Sequence, residues 1–180
     1  TSGSPSLFEV ILEPYPNVHP SSSLSKYGRL NFILTSGSSI QDSASTDYAP
    51  FFDNDWWNIS FGATEHINFS DRDSVQTTFE VRYAKIGEHA ITHSGSANFT
   101  IPSDAESKGF YNSLWAFAAT DLLWGGTGSG NRVISSDNPK YAPFSGSMQE
   151  IRGWAEYISD TAFHQHTLAP TSIIGNSVQM

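Results

Sequence analysis

The chain has 180 residues, carries 9 basic and 18 acidic side chains and contains no cysteine. A domain of this length buries about 70% of the surface that its unfolded chain exposes, so it needs no covalent cross-link. The lack of cysteine excludes disulfides, thiolate metal sites and a cysteine nucleophile. The net charge of −9 disfavours nucleic acid and anionic membranes as partners, and no run reaches the roughly 18 apolar residues of a membrane span.

Aromatic residues reach 13% of the sequence, whereas charged residues make up only 15%. Helices favour Lys, Glu, Ala and Leu, while strands favour aromatic and β-branched residues and need turn residues between them. The composition therefore predicts an all-β protein. Extracellular and virion-surface proteins often share this composition.

Alternation of apolar and polar residues predicts most of the strands. The clearest is Val75–Ile86, where Phe79, Val81 and Tyr83 share one face, as in a sheet with one buried side. The Ser- and Asp-rich stretch Ser36–Asp47 predicts a surface connection. The predicted strands are Ser6–Glu13, Arg29–Thr35, Trp56–Ala63, Val75–Ile86, Ala97–Ile101, Ser113–Ala119, Leu122–Gly125, Asn131–Ser135 and Gly146–Trp154.

One short helix is predicted from Asp160 to Leu168. Ser159 can cap its N-terminus, Asp160 suits the helix dipole in the first turn, and Pro170 ends the segment. About ten short strands, frequent turns and a single small helix favour a two-sheet β-sandwich or jelly roll, formed as one domain over residues 1–180.

Three C-terminal motifs carry a family resemblance: LLWGG at 122–126, FSGSMQEIRGW at 144–154 and YISDTAFHQHTLAP at 157–170. Together they resemble the laminin G-like, pentraxin-like branch of the concanavalin A-like lectin/glucanase superfamily. The resemblance implies a concanavalin A-like jelly roll of two antiparallel sheets with one short helix near the C-terminus. Gly153 departs from the apolar residue usual at its position. The Gln-Glu-Ile-Arg core and the ending at 169–176 are similar to domains of phage and large-virus structural proteins.

Glu150 and Arg152 lie two residues apart in the second motif. Side chains at this spacing on a strand emerge on the same face, where they can form an ion pair or donate hydrogen bonds to neighbouring loops. We therefore interpret the pair as part of the framework and not as a catalytic group.

Carboxylate spacing argues against a glycosidase. Retaining enzymes need two carboxylates about 5 Å apart, and the glucanase branch places them as Glu-x-Asp-x-x-Glu on one strand. The pairs with the wrong spacing are Glu9 and Glu13, Glu80 and Glu88, and Glu150 and Glu156. The Gly-x-Ser-x-Gly pattern of serine hydrolases is also missing from the sequence, so we expect no enzymatic activity and no catalytic residue.

Calcium is the one cofactor that the resemblance suggests, because lectin-like relatives bind it through loop carboxylates and carbonyls. The candidate ligands are Asp53, Asn54 and Asp55, with Asp71 and Asp73 as a second group. Such residues also occur in turns for purely local reasons. A calcium site and an ordinary turn therefore remain alternatives.

Aromatic side chains offer a second kind of site, since an exposed ring can stack on a sugar face. The candidates for carbohydrate binding are Trp57, Tyr111 and Trp124. In the Trp56–Trp57 pair, adjacent side chains of a strand point in opposite directions, so one ring should enter the core and the other should lie on the opposite face of the sheet or under a loop.

These observations lead to three hypotheses. We prefer a non-catalytic structural or adhesive module of a larger assembly, on the surface or capsid of a phage or virus, that contacts other protein subunits or host glycans. A free-standing carbohydrate-binding module, with or without calcium, is the first alternative. A glycoside hydrolase or lyase is the second. The expected location is a virion surface or the extracellular space, and the chain is expected to belong to a longer polypeptide or assembly.

Overall fold

The computed structural model describes residues 6–36, 39–67, 75–103, 146–154, 156–172 and 175. These contain six strands, one 3₁₀ helix and one α-helix. The strands are β1 (Ser6–Pro14), β2 (Gly28–Ser36), β3 (Ser39–Ser45), β4 (Asn58–Ile67), β5 (Val75–Ile86) and β6 (Ile91–Ser103), and the helices are the 3₁₀ turn Ser23–Lys26 and α1 (Asp160–Leu168).

The strands form two three-stranded antiparallel sheets, in the orders β1-β2-β3 and β4-β5-β6. Each sheet is a meander, because every strand pairs with its neighbour in sequence. The predicted combination of two antiparallel sheets with one short helix near the C-terminus is confirmed for the part of the chain that the structure describes.

The two sheets pack face to face through aromatic rings. Phe32 of β2 lies 6.0 Å from Phe79 of β5 and 5.6 Å from Phe99 of β6, between ring centroids. At the other side of the interface, the rings of Phe8 and Phe61 are 5.4 Å apart. Because these residues come from alternate positions of their strands, the period-2 pattern alone places them on the inner faces. The buried apolar residues of this core are Leu30, Phe32, Leu34, Ala49, Phe51, Phe79, Val81, Tyr83 and Phe99.

The outer face of β5 is also covered, which corrects the prediction that this strand has one buried side. Arg82 and Ala84 lie on that face and are 4% and 0% exposed. They are buried because α1 packs on them, with Ala162 and Phe163 forming a second small core beside Ile158. The alternation of residue types in β5 could not predict this contact, because the helix lies about 80 residues further along the chain.

Helix α1 begins and ends where the sequence predicts. The Oγ of Ser159 accepts a hydrogen bond from the N–H of Ala162 at 3.3 Å, and Asp160 occupies the first turn. The helix ends at Leu168, two residues before Pro170. Local capping chemistry therefore determines both ends.

Two strand assignments from the sequence are wrong. Ser36–Asp47 was predicted as a connection but contains β3, whose Ser43 pairs with Ile33 and whose Ala44 pairs with Phe32. The free backbone groups of β2 supply the pairing, which outweighs the low strand propensity of Ser and Asp.

Gly146–Trp154 was predicted as a strand but has no regular secondary structure, and residues 146–151 are exposed. Alternation of residue types alone therefore does not make a strand.

The remaining assignments differ mainly at their ends. The predicted strand Trp56–Ala63 begins later, at Asn58, and the predicted strand Ala97–Ile101 is the last part of the longer β6. The predicted strands at 113–119, 122–125 and 131–135 lie outside the described residues. Neither helix in the described part of the chain has the length and hydropathy to cross a bilayer.

Candidate functional site

The loop between residues 51 and 57 carries the predicted calcium ligands, and it turns sharply just before β4. Asn54 has a φ of 66°, in the left-handed region that Asn tolerates better than most residues. The N–H of Asp55 donates to the Oδ1 of Asp53 at 3.1 Å, which closes a turn through a side chain. The local sequence Asp-Asn-Asp thus explains the bend.

Lys85, near the end of β5, extends its ammonium group to the acidic side chains of this loop. Its Nζ lies 2.6 Å from the Oδ2 of Asp55 and also donates to the Oδ2 of Asp53. The side chains of Lys85 and Asp53 are 11% and 15% exposed, whereas that of Asp55 is 62% exposed. We call Asp53, Asp55 and Lys85 the Lys85 cluster. Two of the three predicted calcium ligands therefore bind an ammonium group of the chain itself.

Hydrogen bonding sets the protonation states in the Lys85 cluster. Burial alone would raise the pKa of Asp53, but the hydrogen bonds from Lys85, the Asp55 N–H and the Trp57 indole hold that pKa below its ordinary value. Hydrogen bonds to Asp53 and Asp55 raise the pKa of Lys85 despite its burial. Both groups are charged at neutral pH, so this pair holds the loop in place and is poorly suited to proton transfer.

The calcium prediction itself stays a prediction. Asn54, the third candidate ligand, is exposed at the turn. Among the residues that the structure describes, no group of three or more His, Asp or Glu side chains is placed to hold a metal ion. A cation binding to Asp53 and Asp55 would have to displace the ammonium of Lys85 or share its ligands. Asp71 and Asp73 lie outside the described residues.

The two adjacent tryptophans have different environments, although both lie in the loop before β4 and not on the predicted strand. The ring of Trp57 packs against Phe51 and Tyr83, with centroids 4.5 and 5.7 Å away. Its Nε1 donates to the Oδ1 of Asp53 at 3.3 Å, and the Nζ of Lys85 lies 5.4 Å from the ring centroid. The Trp57 side chain therefore contacts other residues of the protein on several sides.

Trp56, by contrast, is 58% exposed. The sequence could show that the two rings diverge but could not show which one faces solvent, since that depends on the position of the second sheet. Trp57, the predicted sugar-binding ring, therefore contributes chiefly to the core, and Trp56 presents an aromatic surface. The other predicted sugar-binding residues, Tyr111 and Trp124, lie outside the described residues.

A second ionic cluster joins α1 to the outer face of the β4-β5-β6 sheet. Arg82 Nη1 donates to the Oδ1 of Asp160 at 2.9 Å, and Arg82 Nη2 donates to the Oγ of Ser60 at 3.3 Å. Its Nε lies 3.6 Å from Glu80, which is two residues away and therefore on the same face of β5. The guanidinium also lies 4.9 Å from the ring centroid of Tyr157. We call Glu80, Arg82, Tyr157 and Asp160 the Arg82 cluster.

Tyr157 completes the Arg82 cluster by donating its hydroxyl to Glu80. Burial, followed by this hydrogen bond to a carboxylate, raises the pKa of Tyr157 to about 12. The phenol is therefore a stable donor at neutral pH. It attaches the segment before α1 to β5.

The contact predicted between Glu150 and Arg152 is confirmed. Arg152 Nε and Nη2 donate to the two carboxylate oxygens of Glu150, each at 2.8 Å. Arg152 also donates to the backbone carbonyls of Pro170 and Ser172. The hydrogen bonds from Arg152 lower the pKa of Glu150. The predicted contact forms although the predicted strand does not, because an i, i+2 contact needs only a locally extended chain.

A small cavity lies between α1 and β6, with a volume of about 140 Å³. Its polar lining comes from Arg82, Ser94, Ser96, Asp160 and His164. Ligand pockets usually have volumes of about 300–1,000 Å³, so this cavity is smaller than most of them. Comparison of the chain with protein-family models, curated proteins and solved structures found no match.

Proposed function

We propose that this domain is a non-catalytic structural or adhesive module of a larger assembly. The proposal rests on the contacts of the ionic groups, because each of these groups joins one part of the fold to another. Lys85 links β5 to the loop before β4, Arg82 links β5 to α1, and Arg152 links the segment at 146–154 to the carbonyls after α1. Groups satisfied in this way favour a fixed geometry.

A hydrolase has less support. It needs one carboxyl group whose pKa is raised, so that it can act as an acid, and a second carboxylate facing it across a cleft. The carboxyl groups of Asp53 and Glu150 have lowered pKa values. Each therefore lacks the protonation state that a general acid requires at neutral pH.

The virion setting rests on the C-terminal resemblance. We infer a concanavalin A-like jelly roll from the two antiparallel sheets packed face to face and from the short helix near the C-terminus. A jelly roll also requires connections that cross between its sheets. Residues 46–57 make one such connection, because they lead from β3 in the first sheet to β4 in the second.

A carbohydrate-binding module is the second candidate, and the exposure of Trp56 favours it. The two functions are compatible, since an adhesive module of a particle can bind a host glycan.

The proposed function can be tested on particles and on the isolated domain. Antibodies raised against the recombinant domain should label the surface of purified particles from the source organism in immunogold electron microscopy, whereas pre-immune serum should not. The domain should release no sugar from a panel of polysaccharides. Particles without label would contradict the assembly role. Sugar release that a Glu150→Gln or an Asp53→Asn variant loses would contradict the non-catalytic role.

A further inference from the structure

The sequence contains three sites of the form Asn-x-Ser/Thr, at Asn58, Asn68 and Asn98. This short pattern is the acceptor for N-linked glycans in proteins that pass through a secretory pathway. The fold distinguishes the sites from one another, because a glycan needs space at the amide nitrogen that carries it. Asn68 lies outside the described residues, so the comparison is between Asn58 and Asn98.

Asn98 lies on the outer face of β6, where there is space for a glycan. Its neighbours Ala97 and Phe99 pack in the core between the sheets, so alternation directs Asn98 outwards, and Asn98 is exposed. Thr100, the hydroxyl residue of the site, is exposed on the same face, where its Oγ1 lies 2.9 Å from that of Thr78. Both groups of the acceptor pattern therefore face solvent.

Helix α1 covers a different part of this outer face. The cavity between α1 and β6 is lined on the β6 side by residues 94–96. These residues pair with residues 82–84 of β5, on which α1 packs. Asn98 pairs with Glu80, two positions further along β5. A glycan on Asn98 would therefore extend into solvent beside the helix and would not displace it.

Asn58 has the opposite environment. It is half-buried, and its Nδ2, the atom that would carry the glycan, donates to the Oγ1 of Thr167 at 2.9 Å. Thr167 lies in the last turn of α1 and is 5% exposed. The first sugar on Asn58 would need the space that this end of the helix occupies, so α1 would have to move away from the sheet.

From these environments we infer that Asn98 carries an N-linked glycan and that Asn58 does not. The inference rests on the proposed function, and it adds that the chain passes through a secretory pathway. In the reaction, the Nδ2 of Asn98 forms a bond to the anomeric carbon of an oligosaccharide carried by a lipid pyrophosphate. The bond from that carbon to the pyrophosphate oxygen breaks, the lipid pyrophosphate leaves with the electron pair, and the amide nitrogen loses one of its two protons.

A glycan on Asn98 also bears on how the module assembles. N-linked glycans are bulky and strongly hydrated. The outer face of β6 around Asn98 therefore stays in solvent in the assembly, and contacts with other subunits use a different surface.

The test secretes the chain from insect cells, with Asn68→Gln in every version so that only the two described sites remain. We expect one glycan per chain, seen as a single shift in gel mobility on treatment with peptide N-glycosidase and located at Asn98 by peptide mass spectrometry. Asn98→Gln should abolish the shift, and Asn58→Gln should leave it unchanged. Thr100→Ser keeps the acceptor pattern and should keep the glycan, whereas Thr100→Val should lose it.

A secreted chain without a glycan would overturn the inference, and so would a glycan on Asn58 in a folded chain. If Asn98→Gln does not fold and is not secreted, the contrast between Thr100→Ser and Thr100→Val gives the answer. Asn98 should also be glycosylated in protein taken from purified particles. Unmodified Asn98 in particles that the antibodies label would overturn the inference and leave the assembly role intact, whereas a glycosylated chain that labels no particle would contradict the assembly role alone.

Discussion

Replacing Lys85 by methionine removes the ammonium from the Lys85 cluster while keeping the apolar stem that packs near Trp57. Asp53, 15% exposed, then loses its charge partner. Breaking a buried ion pair costs about 3–5 kcal/mol, but Asp53 keeps hydrogen bonds from the Asp55 N–H and the Trp57 indole. The pair with Asp55, which is 62% exposed, contributes at most about 1 kcal/mol. We expect Lys85→Met to lower the free energy of unfolding by about 2–4 kcal/mol at pH 7.

Urea unfolding followed by tryptophan fluorescence measures this loss. Asp55→Asn is the matched control and should cost less than about 1 kcal/mol. In the double variant Lys85→Met/Asp53→Asn the losses should be less than additive, because the two residues form one pair. The reasoning is refuted if Lys85→Met costs no more than Asp55→Asn, or if the double variant shows no coupling.

The same pair should make the stability depend on pH. Because the pKa of Asp53 is lowered on folding, its contribution is present above the ordinary pKa of 3.8 and is lost as pH falls through the lower folded-state value. The difference in stability between the wild type and Asp53→Asn should therefore shrink in acid. A difference that stays constant down to pH 2 would show that the ion pair does not stabilise the fold.

Three further predictions follow from the core and from the Arg82 cluster. The pKa of Tyr157 is raised to about 12, so its contribution to the stability of the fold is present below pH 10 and is lost as pH rises toward 12. In thermal melts, raising the pH should therefore destabilise Tyr157→Phe less than the wild type. Thr77 is 1% exposed, and its hydroxyl has no hydrogen-bond partner among the residues that the structure describes. Thr77→Val should therefore raise the free energy of unfolding by about 1 kcal/mol, and a loss of that size would indicate an overlooked partner. A Cβ on Gly95 would lie 2.6 Å from the Oη of Tyr83. Gly95→Ala should therefore lower the free energy of unfolding, measured in urea, by about 1–3 kcal/mol. Wild-type stability of this variant would show that the Tyr83 ring can move aside.

Patterns between near neighbours in sequence gave reliable predictions. The alternation of β5 predicted its bounds and its inner face, and the Ser159 cap predicted the start of α1. The i, i+2 spacing of Glu150 and Arg152 predicted their ion pair. Each of these features depends on backbone geometry within one strand or one helical turn. Sequence is informative at that range.

Patterns that require a partner strand gave poorer predictions. β3 has a Ser- and Asp-rich sequence and exists because β2 offers it backbone hydrogen bonds. The segment Gly146–Trp154 alternates as a strand should, but it does not form one. Strand propensity largely reflects packing and pairing, and neither can be deduced from a segment by itself.

The sequence by itself determined the β-rich composition, the alternating core positions and the capped helix, because these follow from covalent neighbours. Only the tertiary structure decided how the charged and aromatic groups are used. Asp53 meets Lys85 from 32 positions away, and Arg82 meets Asp160 from 78 positions away. Such contacts require the sheets and the helix to pack first. The same packing placed Trp57 against the core and left Trp56 in solvent, which is why the candidate binding surface could be located only in the folded chain.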